Sequence, residues 1–365
     1  MNRRQLIFGG GALVLGGGSV AAVNVASMGS TNDYEAAVAA LRMAPADVSR
    51  SNELVRLATL AASGHNAQPW RFRVDADRID ILPDFERRTP IVDPDDHHLF
   101  VSLGCAVENL SLAAAAGGRP GLAAFDPTND GALSFSFEGP GAPARSPMFD
   151  AIPHRQSTRA IYDGRLVSAA QLEVLVAAAE TPGVDMVLIT DRSQIEAVLG
   201  LVLEGNKAQM TDPAFLRELK AWLRFNPRQA LTTGDGLYSA ASGSPKLPQW
   251  LGPIMFDRFV SAQGENDKYA AQVRSSAGLA VFVSKQDDKH HWVRAGQACQ
   301  RFALQATALG LKHAFINQPV EVPSLRPELA ALLGMPGRRP DIVMRFGYGR
   351  TLPFSARRPV AAVLA

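Results

Sequence analysis

Two stretches of the chain repeat one arrangement of apolar, small and polar positions. Asp95-D-H-H-L-F-V-S-L-G-C-A-V-E-N-L-S-L-A-A-A-A-G-Gly118 aligns without a gap with Asp287-D-K-H-H-W-V-R-A-G-Q-A-C-Q-R-F-A-L-Q-A-T-A-L-Gly310, at a constant offset of 192. The offset pairs Asp95 with Asp287, Asp96 with Asp288, His98 with His290, Val101 with Val293, Gly104 with Gly296, Leu112 with Leu304, Ala114 with Ala306 and Gly118 with Gly310. Each copy reads as a helix with an aspartate cap, an apolar and small-residue face, and a closing glycine. Each follows a run that reads as a strand, Arg78–Leu82 in the first copy and Leu279–Ser284 in the second. A further strand is expected from Arg71, with Trp70 in the core just before it. Self-similarity at a fixed offset predicts two related α/β halves in tandem, residues 31–148 and 149–365. The expected class is α+β, a three-layer α/β/α arrangement.

The halves are unequal. The second carries an excess of about residues 205–264, rich in Gly, Pro, Trp and Met, including L-K-A-W-L-R-F-N and G-D-G-L-Y-S-A-A-S-G-S-P-K-L-P-Q-W-L-G-P. Such a segment reads either as a lid or as a packed decoration.

Composition narrows the function. Across 365 residues, 37 basic side chains face 35 acidic ones with no long basic run, which gives no footprint for a nucleic-acid partner. The two cysteines, Cys105 and Cys299, lack disulfide-scaffold or zinc-site spacing and read as small buried hydrophobes. His98 and His290, each behind aspartates at a helix start, read as cap or dipole residues, and no metal is expected. The first 30 residues differ in kind: Arg3 and Arg4 lead into an uncharged, glycine-rich apolar stretch, the layout of an export signal. Arg-Arg-Gln-Leu-Ile is similar to a twin-arginine signal, which implies export to the periplasm or cell envelope after folding. Ser19-Val20-Ala21 offers a cleavage site, while residues 6–25 also reach the roughly 20 residues of a membrane anchor.

Three motifs point to chemistry. Ser63-G-H-N-A-Q-P-W-R-Phe72 packs polar side chains, a proline and a tryptophan into one turn; His154-R-Q-S-T-R-A-I-Y-Asp163 opens the second half; Phe346-G-Y-G-R-T-L-P-F-S-A-R-R-P-Val360 closes the chain. Together they resemble the P-S-x-x-N-x-Q-P-W, R-R-S-x-R and closing basic segments of the nitroreductase superfamily, which implies FMN-dependent oxidoreductase chemistry. In that family the phosphate-binding segment of one subunit and the Q-P-W segment of the other share each flavin. Here the Q-P-W segment lies only in the first half and R-Q-S-T-R only in the second. The resemblance therefore implies one flavin per chain, held in a fused pseudo-dimer that is monomeric as a whole, as in the Acg-like branch. Ala62 stands where the family has proline, and His65 where serine or alanine is common.

The residue types suit that role. Arg155 and Arg159, four apart with Ser157 between them, offer charge-assisted and hydroxyl hydrogen bonds to a phosphate, and Arg357 and Arg358 a second clamp. Ser63 and Gly64 let backbone approach a flat ring closely. Asn66 and Gln68 both donate and accept toward its polar edge. Asn317 and Gln318, in Ile316-N-Q-P-Val320, are candidates near the flavin's reactive nitrogen. No catalytic acid or base is singled out. Expected partners are a small-molecule electron acceptor and NAD(P)H; the alternative is an exported protein that stores or sequesters FMN under the insertion.

Overall fold

The computed structural model describes residues 27–45 and 47–365. Arg3, Arg4 and residues 6–25 lie outside the described residues.

The chain is α+β. Helices α1 (Thr31–Leu41) and α2 (Ser51–Thr59) precede strands β1 (Trp70–Val74) and β2 (Arg78–Pro83), and helix α3 (His97–Ala116) is followed by β3 (Gly121–Asp126) and β4 (Ala132–Phe137). These strands form one antiparallel sheet in the order β1-β2-β4-β3. After helix α4 (Ala169–Ala179) come β5 (Val184–Ile189) and α5 (Arg192–Thr211). Next follow α6 (Ala262–Arg274), β6 (Gly278–Ser284), α7 (Lys289–Ala308), β7 (Lys312–Phe315), α8 (Gln318–Glu321) and β8 (Pro340–Gly347). The second sheet, also antiparallel, runs β5-β6-β8-β7.

The sheets differ in what covers them. β1 alternates buried Trp70 and Phe72 with exposed Arg71 and exposed Arg73, the pattern of a strand with one face in water. Every residue of β6 is buried, because Ala280 and Phe282 face α7 whereas Leu279, Val281 and Val283 face α5 and α6. The helix/sheet/helix layering thus stands around the second sheet, and the first sheet packs on the far side of the helical layer that holds α3 and α7.

The two repeated helices cross each other. A Cβ on Gly104 would stand 1.9 Å from the Val293 carbonyl oxygen, and one on Gly296 would stand 2.0 Å from that of Val101. Gly104/Gly296 and Val101/Val293 are both matched pairs of the repeat, so the contact is mutual, as in a two-fold interface between equal subunits. Both cysteines are buried in this layer, and the Cys105 thiol donates to the Gly296 carbonyl.

The insertion is mostly helical, with helices Pro213–Trp222, Pro227–Thr233 and Gly252–Phe259. Its expected ends at 205 and 264 fall inside α5 and α6, because those helices run on past the compositional change. It packs on α1 and the C-terminal segment through Ala230, Tyr238 and Ala241 against Tyr34, Val38 and Ala356. The C-terminal segment itself crosses back to the first sheet, where Phe72 N–H donates to the Val363 carbonyl and Ala365 N–H to that of Phe72. That crossing brings residues 356–358 to the loop before β1.

Candidate functional site

The loop Ser63–Trp70 is strained. His65, Asn66 and Gln68 have φ of 50°, 55° and 54°, a left-handed region that non-glycine residues enter at a cost of about 1–3 kcal/mol each. Such a backbone persists only where its surroundings over-determine it, and here they do. The Asn66 amide donates to the Gly236 and Ala356 carbonyls (3.1 and 3.2 Å) and accepts from Arg357 (2.8 Å). The Gln68 amide donates to the Gly234 carbonyl (2.9 Å) and accepts from Arg358 N–H (2.9 Å). Both side chains, expected to face a ring's polar edge, are instead committed to tying the insertion and the C-terminal segment to this loop. Ser63 accepts from Gln68 N–H (3.1 Å), which leaves Gly64 exposed at the tip. Burial, then Arg159 and His98, lower the His65 imidazole to about 4, so it is neutral at pH 7.

The segment bearing Arg155, Ser157 and Arg159 is not helical. After a short helical turn it extends from Arg155 onward, and Ser157 bridges in parallel to His313 on β7. Four residues of extended chain separate Arg155 from Arg159 by roughly 13 Å. The i, i+4 spacing therefore brings the two arginines to different surroundings instead of to one compact turn. Arg159 lies beside His65, whereas Arg155 is buried against the helical layer. Gln156, not singled out from sequence, donates to the Leu352 and Pro353 carbonyls and fixes the C-terminal segment.

The closing pair Arg357-Arg358 also divides. Arg358 turns outward to the Ala362 carbonyl (2.6 Å) and toward Asp84 (3.6 Å), so it forms no clamp with its neighbour. Arg357 turns inward and donates to the carbonyls of Thr59 (2.9 Å), Leu60 (3.4 Å) and Ala61 (3.2 Å) at the C-terminal end of α2, where positive charge is favoured. It joins Arg155 and a residue that sequence did not signal, Arg42 at the end of α1. All three are buried, and burial, then mutual repulsion where it acts, lowers each; Arg357 falls to about 9. Nε of Arg42 and both Nε and Nη1 of Arg155 have no hydrogen-bond partner. Among the described residues no carboxylate forms an ion pair with any of the three. Buried cations without a counter-charge are costly, and this cluster, with unfilled donors, suits a bound anion.

Gln318 opens α8 with its Oε1 unpartnered, seated over Gly205, where a Cβ would come within 2.8 Å of the Gln318 Cβ. Asn317 accepts from Val343 N–H (3.0 Å), and its amide nitrogen lies 3.5 Å from His98 Nε2.

A model of the nitroreductase family matches residues 152–350, more than half of the chain. The chain belongs to the nitroreductase family. The match takes in Arg155, Ser157, Arg159 and Gln318 and ends before Arg357. Two Mycobacterium tuberculosis H37Rv proteins, both provisionally named NAD(P)H nitroreductases, match at nearly full length. Rv3131 is 26% identical over 332 residues, 87% of this chain and 92% of its own. Acg is 25% identical over 338 residues, 88% of this chain and 96% of its own. These matches place this nitroreductase in the Acg-like branch. A Desulfitobacterium hafniense nitroreductase with bound FMN aligns at TM-score 0.36 and 16% identity, over 59% of this chain and 94% of that one. The FMN-dependent NfnB of Mycobacterium smegmatis, in complex with NADPH, aligns at 0.37 and 14%, over 56% and 87%.

Proposed function

We propose that this nitroreductase is an FMN-dependent oxidoreductase that passes electrons from NAD(P)H to a small acceptor, with one flavin per chain between the two halves. The observation that carries the reading is the buried group Arg42, Arg155 and Arg357, whose three unpartnered guanidinium nitrogens suit a phosphate dianion. The extended course from Arg155 to Arg159 then gives these arginines opposite ends of an elongated ligand, Arg155 at the phosphate and Arg159 near the ring beside His65. The strained loop contributes the backbone of Ser63 and Gly64, while Asn66 and Gln68 hold that backbone in place. Bound flavin would supply hydride acceptance and two-electron transfer, and the protein supplies position and field.

The alternative reading is a protein that stores FMN under the insertion, and one observation weighs against it. The insertion's Gly234–Gly236 turn grips the loop through Asn66 and Gln68, a structural task that needs no covering role. Export through a twin-arginine signal remains part of the proposal, supported by the Arg3-Arg4 pattern.

The test separates phosphate from ring. Arg155→Ala and Arg42→Ala should each weaken FMN by about 1.5–3 kcal/mol, the loss expected for a charge-assisted hydrogen bond, with riboflavin binding unchanged. Arg358→Ala should leave FMN affinity as it is. Equal losses for riboflavin and FMN would remove the phosphate from the cluster, and two flavins released per chain would end the one-site account.

A further inference from the structure

We propose that Asp93, His97 and His98, at the start of α3, form a binding site for a divalent transition-metal ion, with zinc the best fit. The three side chains each bring a ligand atom to within 4.8 Å of the others, and among the described residues they are the one such group.

His97 carries the argument. It is 1% exposed, its Nε2 lies 2.8 Å from a carboxylate oxygen of the equally buried Asp341, and its Nδ1 has no partner. An imidazole held by a carboxylate on one nitrogen and free on the other is the arrangement of a metal-ligating histidine, in which the outer carboxylate sets the tautomer and raises basicity. Leaving a buried ring nitrogen bare costs about 1–3 kcal/mol; the core histidine His313 is bare at both nitrogens, but only His97 has two further ligand groups beside it among the described residues.

The neighbours have compatible geometry. His98 Nδ1 lies 3.6 Å from Asp93 Oδ1. Two ligands at about 2.0–2.1 Å from one tetrahedral ion stand roughly 3.3 Å apart, so a small closure brings these atoms into a shared shell. Asp93 also accepts from the N–H groups of His98 and Leu99, both at 3.0 Å, which aims its carboxylate and leaves further lone pairs. That capping accounts for Asp93 but not for the bare nitrogen of His97. Two imidazoles with one carboxylate suit zinc and neighbouring divalent ions, and leave a fourth position open.

The second copy of the repeat lacks the group. There His290 stacks on Phe125, ring centroids 5.4 Å apart, and His291 Nδ1 is engaged by Asp288 at 2.9 Å.

The test uses the flavin-loaded protein, stripped of metal with a chelator, incubated with zinc chloride and desalted. Metal analysis should find one zinc per chain, and zinc should raise the thermal midpoint, since a ligand bound only by the folded state stabilises it. His98→Ala should abolish stoichiometric zinc. Asp341→Asn should weaken it 10- to 100-fold, the usual effect of losing a histidine's orienting carboxylate. His291→Ala should change nothing. Far-ultraviolet circular dichroism reports folding in each variant. Should His98→Ala not fold, the wild-type pair of readouts decides: substoichiometric zinc with an unmoved midpoint overturns the site. Equal zinc retention in wild type and a folded His98→Ala variant overturns it as well, by showing binding elsewhere on the surface.

Discussion

The first turns of α3 and α7 follow the same pair of aspartates and are built differently. At α7, Asp288 is an ordinary cap: its backbone is extended and its carboxylate accepts from His291 N–H at 2.9 Å. At α3 the matching Asp96 is left-handed, with φ of 61°, caps nothing, and pairs with Arg88. The cap comes instead from Asp93, three residues upstream. The preceding aspartates stayed alike: Asp95 and Asp287 both reach Arg339, at 2.6 and 3.2 Å. The helix middles stayed alike too, each glycine fitted under the other helix's valine carbonyl. Contact between two backbones tolerates no added atom, whereas a helix cap is worth about 1 kcal/mol and has several chemical solutions. One end was therefore free to take on new side chains.

The largest effect tests the conserved middle. Gly104→Val and Gly296→Val each force a side chain into a carbonyl oxygen and should prevent folding, a loss beyond about 4 kcal/mol. The two should be equally damaging, as judged by soluble yield and thermal melts. A folded, near-wild-type Gly296→Val beside a ruined Gly104→Val would break the symmetry claimed for the crossing.

The ends should respond unequally. Asp93→Ala strips two buried N–H groups of their side-chain acceptor and should cost about 3 kcal/mol in chemical denaturation, while Asp288→Ala should cost about 1 kcal/mol. Reversal of that order would mean that Asp93 is not the working cap of α3.

A smaller effect sharpens the picture at the loop that the α3 end faces. His65 is lowered to about 4 in the folded chain against 6.5 for the ordinary imidazole. The unfolded chain thus binds the proton first as pH falls, so this contribution to stability is whole above about pH 6.5 and is lost down to about pH 4. His65→Gln should flatten the stability profile across that window by about 1–2 kcal/mol, roughly half of what the full shift is worth because the ring is partly exposed to solvent. An unaltered slope would place the acid sensitivity on the other buried histidines.

Local pattern was enough for much of this molecule. The 192-residue offset, the strand before each repeated helix, the burial of Trp70 and both cysteines, and the family motifs were all legible, because periodicity and turn chemistry act over a few residues. What the polar side chains do was not legible. Asn66 and Gln68 sit within a recognisable motif, yet their partners at Gly234, Gly236, Arg357 and Arg358 lie more than 160 residues away. Arg155 and Arg159 lie four apart in sequence, but the extended course between them, which the spacing does not show, takes them to different neighbours. Arg357 and Arg358, adjacent in the chain, point to different neighbours because one falls inside the fold and the other at its edge. Arg42 carried no signal at all; the helix that ends there brings it to Arg155 and Arg357. Sequence by itself determined the two helices of the repeat, the strand before each, and the matched pattern they share. Tertiary structure alone decided which charges are buried together, because a hydrogen bond or an unmet cation depends on where distant backbone comes to rest.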